Sequence, residues 1–344
     1  MCLYPKLIRN KKYTSNKKNR GVIPPVKDQR TKLVPIGCQN CIECRKQKAR
    51  AWQVRLLEDI KTHKNGKFIT LTFSNKSIKE LNAEIDTLEG YERDNQIATL
   101  AMRRFLERWR KQYKKSLRHW MVTEIGHQGT ENIHLHGIIW TNENLETVEK
   151  TWQYGFMWKG KKKQLNKNEY IYENYVNETT IGYITKYVTK IDELHKTYKS
   201  KILTSPGIGH NYTNTHDSKK NKFNESKTIE TYRTTTGHKI SLPIYWRNKI
   251  YNEEEREQLW LNKLNQQIRW VRGEKIDISK GEENYYKILK WHQQRNIELG
   301  FGNDQKDWSR EQYEKERRYL KIKERIIKAE QNERLAGGAV NQKG

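Results

Sequence analysis

The chain has 344 residues, with 68 Lys+Arg against 41 Asp+Glu, a formal charge of +27. That balance calls for a polyanion as partner, and the absence of any apolar run near the ~20 residues of a bilayer span argues against a membrane protein. Hydrophobic residues make up only 34 %, but 11 Trp and 19 Tyr supply ring area for the core of one large or two small domains.

In chain order, the opening MCLYPKLIRN lacks the apolar stretch of a signal peptide, so an intracellular protein with reduced cysteines is expected. Residues 1–37, with Pro24, Pro25 and Pro35, read as irregular. Residues 1–65 hold 17 Lys/Arg and 4 Asp/Glu. Tyr4, Tyr13 and Trp52 stand among those charges, which favours nucleic acid over a merely solvated face and leaves RNA against DNA open. Cys38, Cys41 and Cys44 have C-x2-C-x2-C spacing. With Cys2 they make the four ligands of a structural Zn²⁺ site; an iron–sulfur cluster and simple reduced thiols are the alternatives.

Ala49, Trp52, Leu56, Leu57 and Ile60 share one helical face. Asn65-Gly66 marks a turn, and FITLTF at 68–73 is a strand. A helix over about 94–116 carries Ile97, Ala101, Phe105, Trp109 and Tyr113. Strands at 119–126 and 133–140, joined by a polar loop with Gly129, form an antiparallel hairpin. A further strand falls within 152–158 and a short helix at 178–191. Residues 195–240, with Pro206, Gly207 and Gly209, read as a long loop region. From Glu253 the pattern is helical and charged, with Leu261, Leu264, Ile268 and Val271 as one narrow stripe. The final LAGGAVNQKG is expected to be disordered. Trp109, Trp120, Trp140, Trp152 and Trp158 lie near the sheet, as core or as stacking partners for bases.

This order implies an α+β fold: an antiparallel sheet with helices on one face, the other face left for a site, and a C-terminal helical extension. The expected divisions are a basic, Cys-containing segment at 1–65 packing on the core, a core at 66–250, charged helices at 251–335 and a tail at 336–344.

His134 and His136 are two apart on a strand, so both imidazoles point to one face, while Leu135, Gly137 and Ile139 point to the other. A loop centred on Gly129 sets Glu124 across from His134; a shift to Thr130 sets it across from His136. Either register brings a carboxylate beside two imidazoles, and that set leaves a divalent ion open positions for phosphate oxygens. His127 is a rival third ligand, though it falls in the loop.

Tyr183 and Tyr187 are four apart and nearly eclipsed on a helix whose apolar stripe is Ile181, Ile184, Val188 and Ile191. Lys186 and Lys190 flank them. The hydroxyls thus emerge between a buried and a cationic face, where a phosphate-attacking group is well served. A neutral phenol, with its pKa near ~10, needs a polarised electrophile or a base.

Together these residues resemble the HUH endonucleases, and within them the two-tyrosine replication initiators of the Microviridae, of gokushovirus-like type. FITLTF at 68–73 resembles their first motif, EIGHQGTENIHLHGIIW at 124–140 the second and YITKYVTK at 183–190 the third, in that order. CQNCIECRKQKARAWQVRL at 38–56, SPGIG at 205–209 and LPIYW at 242–246 resemble accompanying segments. The resemblance spans about residues 2–250.

It implies that His134 and His136, with Glu124, bind Mg²⁺ or Mn²⁺ at the scissile phosphate of single-stranded or extruded origin DNA. Tyr183 or Tyr187 would attack, leaving a 5′-phosphotyrosine and a 3′-hydroxyl that host polymerase extends. The other tyrosine would later cut the regenerated origin, and the freed 3′-hydroxyl would close a circle. Lys186 would orient phosphate or assist the leaving oxygen, and Lys190, Thr70 and Thr72 would contact DNA. A host helicase as partner and the host bacterial cytoplasm as location follow from the same resemblance. The rivals are a plasmid relaxase or transposase, and a non-catalytic zinc-containing nucleic-acid-binding protein. Relaxases usually carry three clustered His and single-Tyr transposases lack the pair. The binding protein explains charge and cysteines but not three ordered motifs.

Overall fold

The computed structural model describes residues 2–85, 88–127, 131–166, 169–192, 194–195, 197–301 and 309–340. The chain opens with strands β1 (Lys6–Arg9) and β2 (Leu33–Ile36), helix α1 (Ile42–Thr62) and strand β3 (Gly66–Leu71). Helices α2 (Asn75–Asn82) and α3 (Gly90–Tyr113) lead to strands β4 (Arg118–Ile125) and β5 (Ile133–Trp140). Then come α4 (Leu145–Trp152), β6 (Met157–Trp158), the pair β7 (Lys161–Asn166) and β8 (Glu169–Glu173), and α5 (Glu178–Thr189). Short elements follow: β9 (Ile202–Thr204), α6 (His216–Lys219), β10 (Thr231–Arg233), β11 (Lys239–Ser241) and α7 (Ile244–Ile250). The chain ends with α8 (Glu253–Asn265), strands β12 (Ile268–Val271) and β13 (Glu274–Asp277), and helices α9 (Glu283–Glu298) and α10 (Arg310–Val340).

Five strands form an antiparallel sheet in the order β6-β3-β5-β4-β9. The period of two sorts its side chains cleanly. Ile69, Leu71, Met121, Leu135 and Ile139 point to one face and pack with Leu81 of α2, Phe105 and Trp109 of α3 and Val148 and Trp152 of α4. Trp120, Val122, Ile138 and Trp140 point to the other and pack with Ala49 and Leu56 of α1 and Ile181, Ile184 and Val188 of α5. The α+β class is as the sequence implies. The expected helical cover is α2 to α4; α1 and α5 add a second cover, because each has an apolar stripe of its own to bury. Gly137 lies at the centre, where a Cβ would come within 2.1 Å of the Trp120 carbonyl oxygen and 2.7 Å of Met121 Cα. Only glycine lets β5 and β4 pair there.

Contacts divide the chain into two compact units. One comprises Lys46–Lys222 and Ile229–Ile250 and contains the sheet; the other comprises Met1–Arg45, Phe223–Thr228 and Tyr251–Gly344. In the second unit, Leu3, Tyr4, Cys41, Ile42 and Cys44 share a core with Val271, Ile276, Tyr285 and Leu289.

Two expectations are corrected in this unit. Residues 1–37 are not wholly irregular, since β1 and β2 pair antiparallel from Lys6↔Ile36 to Arg9↔Leu33. Ile268 and Val271 do not continue the stripe of Leu261 and Leu264. Gln266 caps α8, and Gln267, Arg272 and Gly273 at positive φ turn the chain into the β12–β13 hairpin. In the sheet unit, β7 and β8 form a hairpin absent from the sequence reading. At the C-terminus α10 runs to Val340, so part of the tail expected to be disordered is helical, and 341–344 lie outside the described residues. So do Gly129 and Thr130 of the β4–β5 loop.

Candidate active site

The β4–β5 register is Glu124↔His134 and Val122↔His136, one of the two pairings the sequence allows. All four residues share a face. Across the diagonal, Glu124 Oε2 lies 2.9 Å from His136 Nε2, while Glu124 Oε1 accepts from Lys190 Nζ at 2.5 Å. The Nε2 atom has no hydrogen-bond partner among the described residues despite that closeness, whereas Nδ1 is 3.0 Å from Thr70 Oγ1. Thr70 therefore orients the ring, the usual service of an outer group to a histidine ligand.

Two donors bound at about 2.1 Å to one octahedral ion stand about 3 Å apart, so this nitrogen and oxygen fit neighbouring ligands of Mg²⁺ or Mn²⁺. His134 is the next donor on the face, its ring centroid 6.3 Å from that of His136. Gly126 makes room for it: a Cβ there would fall 2.9 Å from His134 Cε1. The three side chains are not drawn tight round one point. Among the described residues, the one group of three or more His, Cys, Asp or Glu with ligand atoms mutually within 4.8 Å is Cys2, Cys38, Cys41 and Cys44, which could hold a metal.

Protonation suits ligation. Burial, aided by neighbouring His136 and opposed by Glu124, lowers the His134 pKa below 6.5 and so keeps the imidazole neutral. Burial would raise Glu124, but the contacts from His136 and Lys190 outweigh it and hold the carboxyl below its ordinary value.

Helix α5 brings in the phenols. Its start is set by a capping box, in which Asn177 Oδ1 accepts from Thr180 N at 2.9 Å. Ile181, Ile184 and Val188 bury against the sheet. With that stripe fixed, Tyr187 stacks flat on His136, centroids 4.5 Å apart and planes within 5°. Tyr183 sits edge-on to Phe68 at 5.9 Å. The two hydroxyls meet at 2.6 Å. Tyr183 is 47 % exposed. Burial and the hydrogen bond with Tyr183 push the Tyr187 pKa up, so its phenol stays protonated.

The remaining sequence candidates fall as follows. Lys186 is exposed on α5 and Lys190 caps it. Thr72 donates to the Phe156 carbonyl at 2.8 Å, tying β3 to the segment leading into β6. His127 is joined to Asp192 rather than to the Glu124–His136 pair, its Nε2 3.0 Å from Asp192 Oδ2. Of the five tryptophans, Trp109, Trp120, Trp140 and Trp152 are buried and Trp158 is exposed.

Sequence reasoning missed several contributors. Asn174 mimics a strand neighbour on β3: its Oδ1 accepts from Phe68 N at 2.8 Å and its Nδ2 donates to Phe68 O at 2.6 Å. An asparagine in a polar run gives no periodic signal. Asp192 and His195 were also missed. His195 Nδ1 lies 3.1 Å from the Asp192 oxygen that His127 approaches. An Asp-x-x-His step at the end of the third motif was the available clue.

A family model described as Replication-associated protein ORF2 matches residues 66–192. The match supports a replication initiator. It begins at the first residue of β3 and runs past α5, so every residue of the His–Glu–Tyr face lies inside it. No curated protein and no solved structure matches the chain significantly. Among the described residues no helix is long and apolar enough to cross a membrane.

Proposed function

We propose that the chain is a rolling-circle replication initiator that nicks single-stranded origin DNA through tyrosine and later rejoins the ends. The observation that carries this reading is the stack of Tyr187 on His136, with the Tyr183 hydroxyl 2.6 Å from that of Tyr187 and Glu124 beside the same imidazole. Nucleophile and phosphate-holding groups thus share one face of one sheet.

His134, His136 and Glu124 would hold Mg²⁺ or Mn²⁺, which when bound supplies Lewis-acid polarisation of a phosphoryl oxygen. The chain's own groups do the rest. Lys186 and Lys190 draw the DNA backbone to the helix. A phenol oxygen attacks phosphorus as the bond to the 3′-oxygen breaks. The phenolic proton is released and the departing 3′-oxygen takes one up, so the exchange of one phosphoester for another needs no ATP. The second phenol, adjacent to the first, repeats the attack on the regenerated origin. The free 3′-hydroxyl then displaces the first tyrosine and closes a circle. Host polymerase and helicase, in the host bacterial cytoplasm, complete the scheme.

Incubation with single-stranded origin DNA and Mn²⁺, followed by a denaturing gel, tests it. Wild type is expected to give a covalent protein–DNA band, His134→Ala/His136→Ala little of it, and Tyr183→Phe/Tyr187→Phe none. Cleavage that persists in the double Phe variant removes the tyrosine mechanism, and a mobility shift with no covalent band in wild type leaves a binding protein.

A further inference from the structure

We infer that Cys2, Cys38, Cys41 and Cys44 hold a resident Zn²⁺ ion that organises the unit built from the chain's two ends, independently of the nicking chemistry. The thiols come from places distant in sequence: the N-terminus, the loop after β2, and the start of α1. Yet their sulfurs all lie within 4.8 Å of one another, with Cys2 Sγ and Cys41 Sγ 3.9 Å apart. Four sulfurs at about 2.3 Å from one tetrahedral Zn²⁺ stand about 3.8 Å apart, so the spacing is that of a single ion. A cluster of several irons needs its sulfurs spread wider.

The backbone supplies a second, independent sign. Asn40 N and Cys41 N both donate to Cys38 Sγ, at 3.4 and 3.2 Å, folding Cys38–Cys41 into a tight loop round its first sulfur. Tyr4 N and Cys38 N both donate to Cys2 Sγ, at 3.3 and 3.2 Å. Sulfur that accepts two N–H bonds is behaving as thiolate, the form that ligates metal. Cys44 lies in the first turn of α1, where the helix N-terminus favours negative charge. Gly37 completes the cradle: a Cβ there would fall 2.9 Å from Cys44 Sγ.

A role for the ion follows from what surrounds it. Cys41 and Cys44 are buried in the core shared with Leu3, Tyr4, Val271, Tyr285 and Leu289, and Ile42 N donates to Asn296 Oδ1 of α9 at 2.8 Å. That core is small, and small cores commonly rely on a metal staple.

The test uses full-length protein purified without added metal and desalted. Elemental analysis is expected to find about one zinc per chain, as four-thiolate sites bind it. The cysteines are expected to resist a thiol reagent until a strong chelator releases the zinc, and Co²⁺ exchange to give sulfur-to-cobalt charge-transfer absorption. Cys38→Ser/Cys41→Ser is expected to lose the zinc and His134→Ala/His136→Ala to keep it. Should the Cys variant fail to fold, the chelator titration of wild type still decides. Zinc-free protein with thiols equally reactive before and after chelation, iron in place of zinc, or loss of the zinc in the His variant would each overturn the assignment.

Discussion

Tyr183 and Tyr187 are chemically the same residue four positions apart, yet their surroundings divide the work between them. Tyr187 is half-buried, stacked on His136, and its phenol is held protonated by burial and by Tyr183. Tyr183 is 47 % exposed and meets only Phe68 and its partner hydroxyl. An incoming phosphate therefore reaches Tyr183 first. On a single-cleavage substrate, Tyr183→Phe is expected to abolish the first covalent adduct, while Tyr187→Phe forms it but fails to release joined circles. The reverse pattern would mean that contact with His136 activates the phenol rather than restraining it. Thr70 belongs to the same scale. It holds His136 Nδ1 at 3.0 Å, and Thr70→Val is expected to weaken Mn²⁺ binding by roughly 10-fold or more while Thr70→Ser restores it, as outer-shell partners of metal ligands do. Metal titration of cleavage rates reads the difference.

At the scale of elements, most of the site was legible because it obeys simple periods. The strand read at 133–140 is β5 residue for residue, and its alternation alone placed both imidazoles on one face. The helix over 178–191 is α5 with frayed ends. The missed elements break those periods. In β12 the inward positions are Arg269 and Val271, and a buried arginine is invisible to a search for apolar spacing; its charge is met by Glu282 at 3.1 Å and Glu314 at 3.3 Å, on or beside elements remote in sequence. Strand β7, Lys161–Asn166, has almost no apolar residue to alternate. On α1, Glu58 and Asp59 read as a solvated acidic pair but are both buried. Asp59 Oδ1 accepts from Gly209 N at 2.7 Å and pairs with Arg118, and Glu58 Oε1 accepts from Tyr232 Oη at 2.5 Å.

These contacts explain why SPGIG and LPIYW accompany the motifs without touching the site. Arg55 Nη2 donates to Ile208 O at 2.9 Å, and Trp246 Nε1 donates to Gly209 O at 2.7 Å, so both segments lock onto α1. Gly209 sits at φ +71°, and a Cβ there would lie 2.6 Å from the Arg55 carbonyl oxygen. Gly209→Ala is expected to destabilise by about 2–4 kcal/mol, combining left-handed strain with overpacking. Urea unfolding checks it; a variant as stable as wild type would show that the segment yields without cost.

For the whole molecule, His119 gives the fold a pH dependence. It is buried on β4, with Nδ1 2.9 Å from the Leu117 carbonyl oxygen. Burial lowers its pKa below 6.5 against the opposing backbone bond. Between that depressed value and 6.5 the unfolded chain binds a proton that the native chain refuses. Stability from this group is therefore complete above 6.5 and lost as pH falls through the window. Unfolding free energies measured across it should drop in wild type and drop less in His119→Gln; equal slopes would deny His119 the role. The charge of +27 acts at the same scale. DNA affinity should fall with salt at about 0.7 log units per decade for each single-strand phosphate contacted. That term concerns grip, not chemistry, and any basic protein shares it.

The chemistry is tested most directly by mapping the covalent bond itself. After reaction with single-stranded origin DNA and digestion of both polymers, mass spectrometry of the peptide spanning IGYITKYVTK should find a nucleotide joined through its 5′-phosphate to Tyr183 or Tyr187. Cleaved DNA bearing an unattached 5′-phosphate, with both tyrosines unmodified or the nucleotide on another residue, would contradict the account.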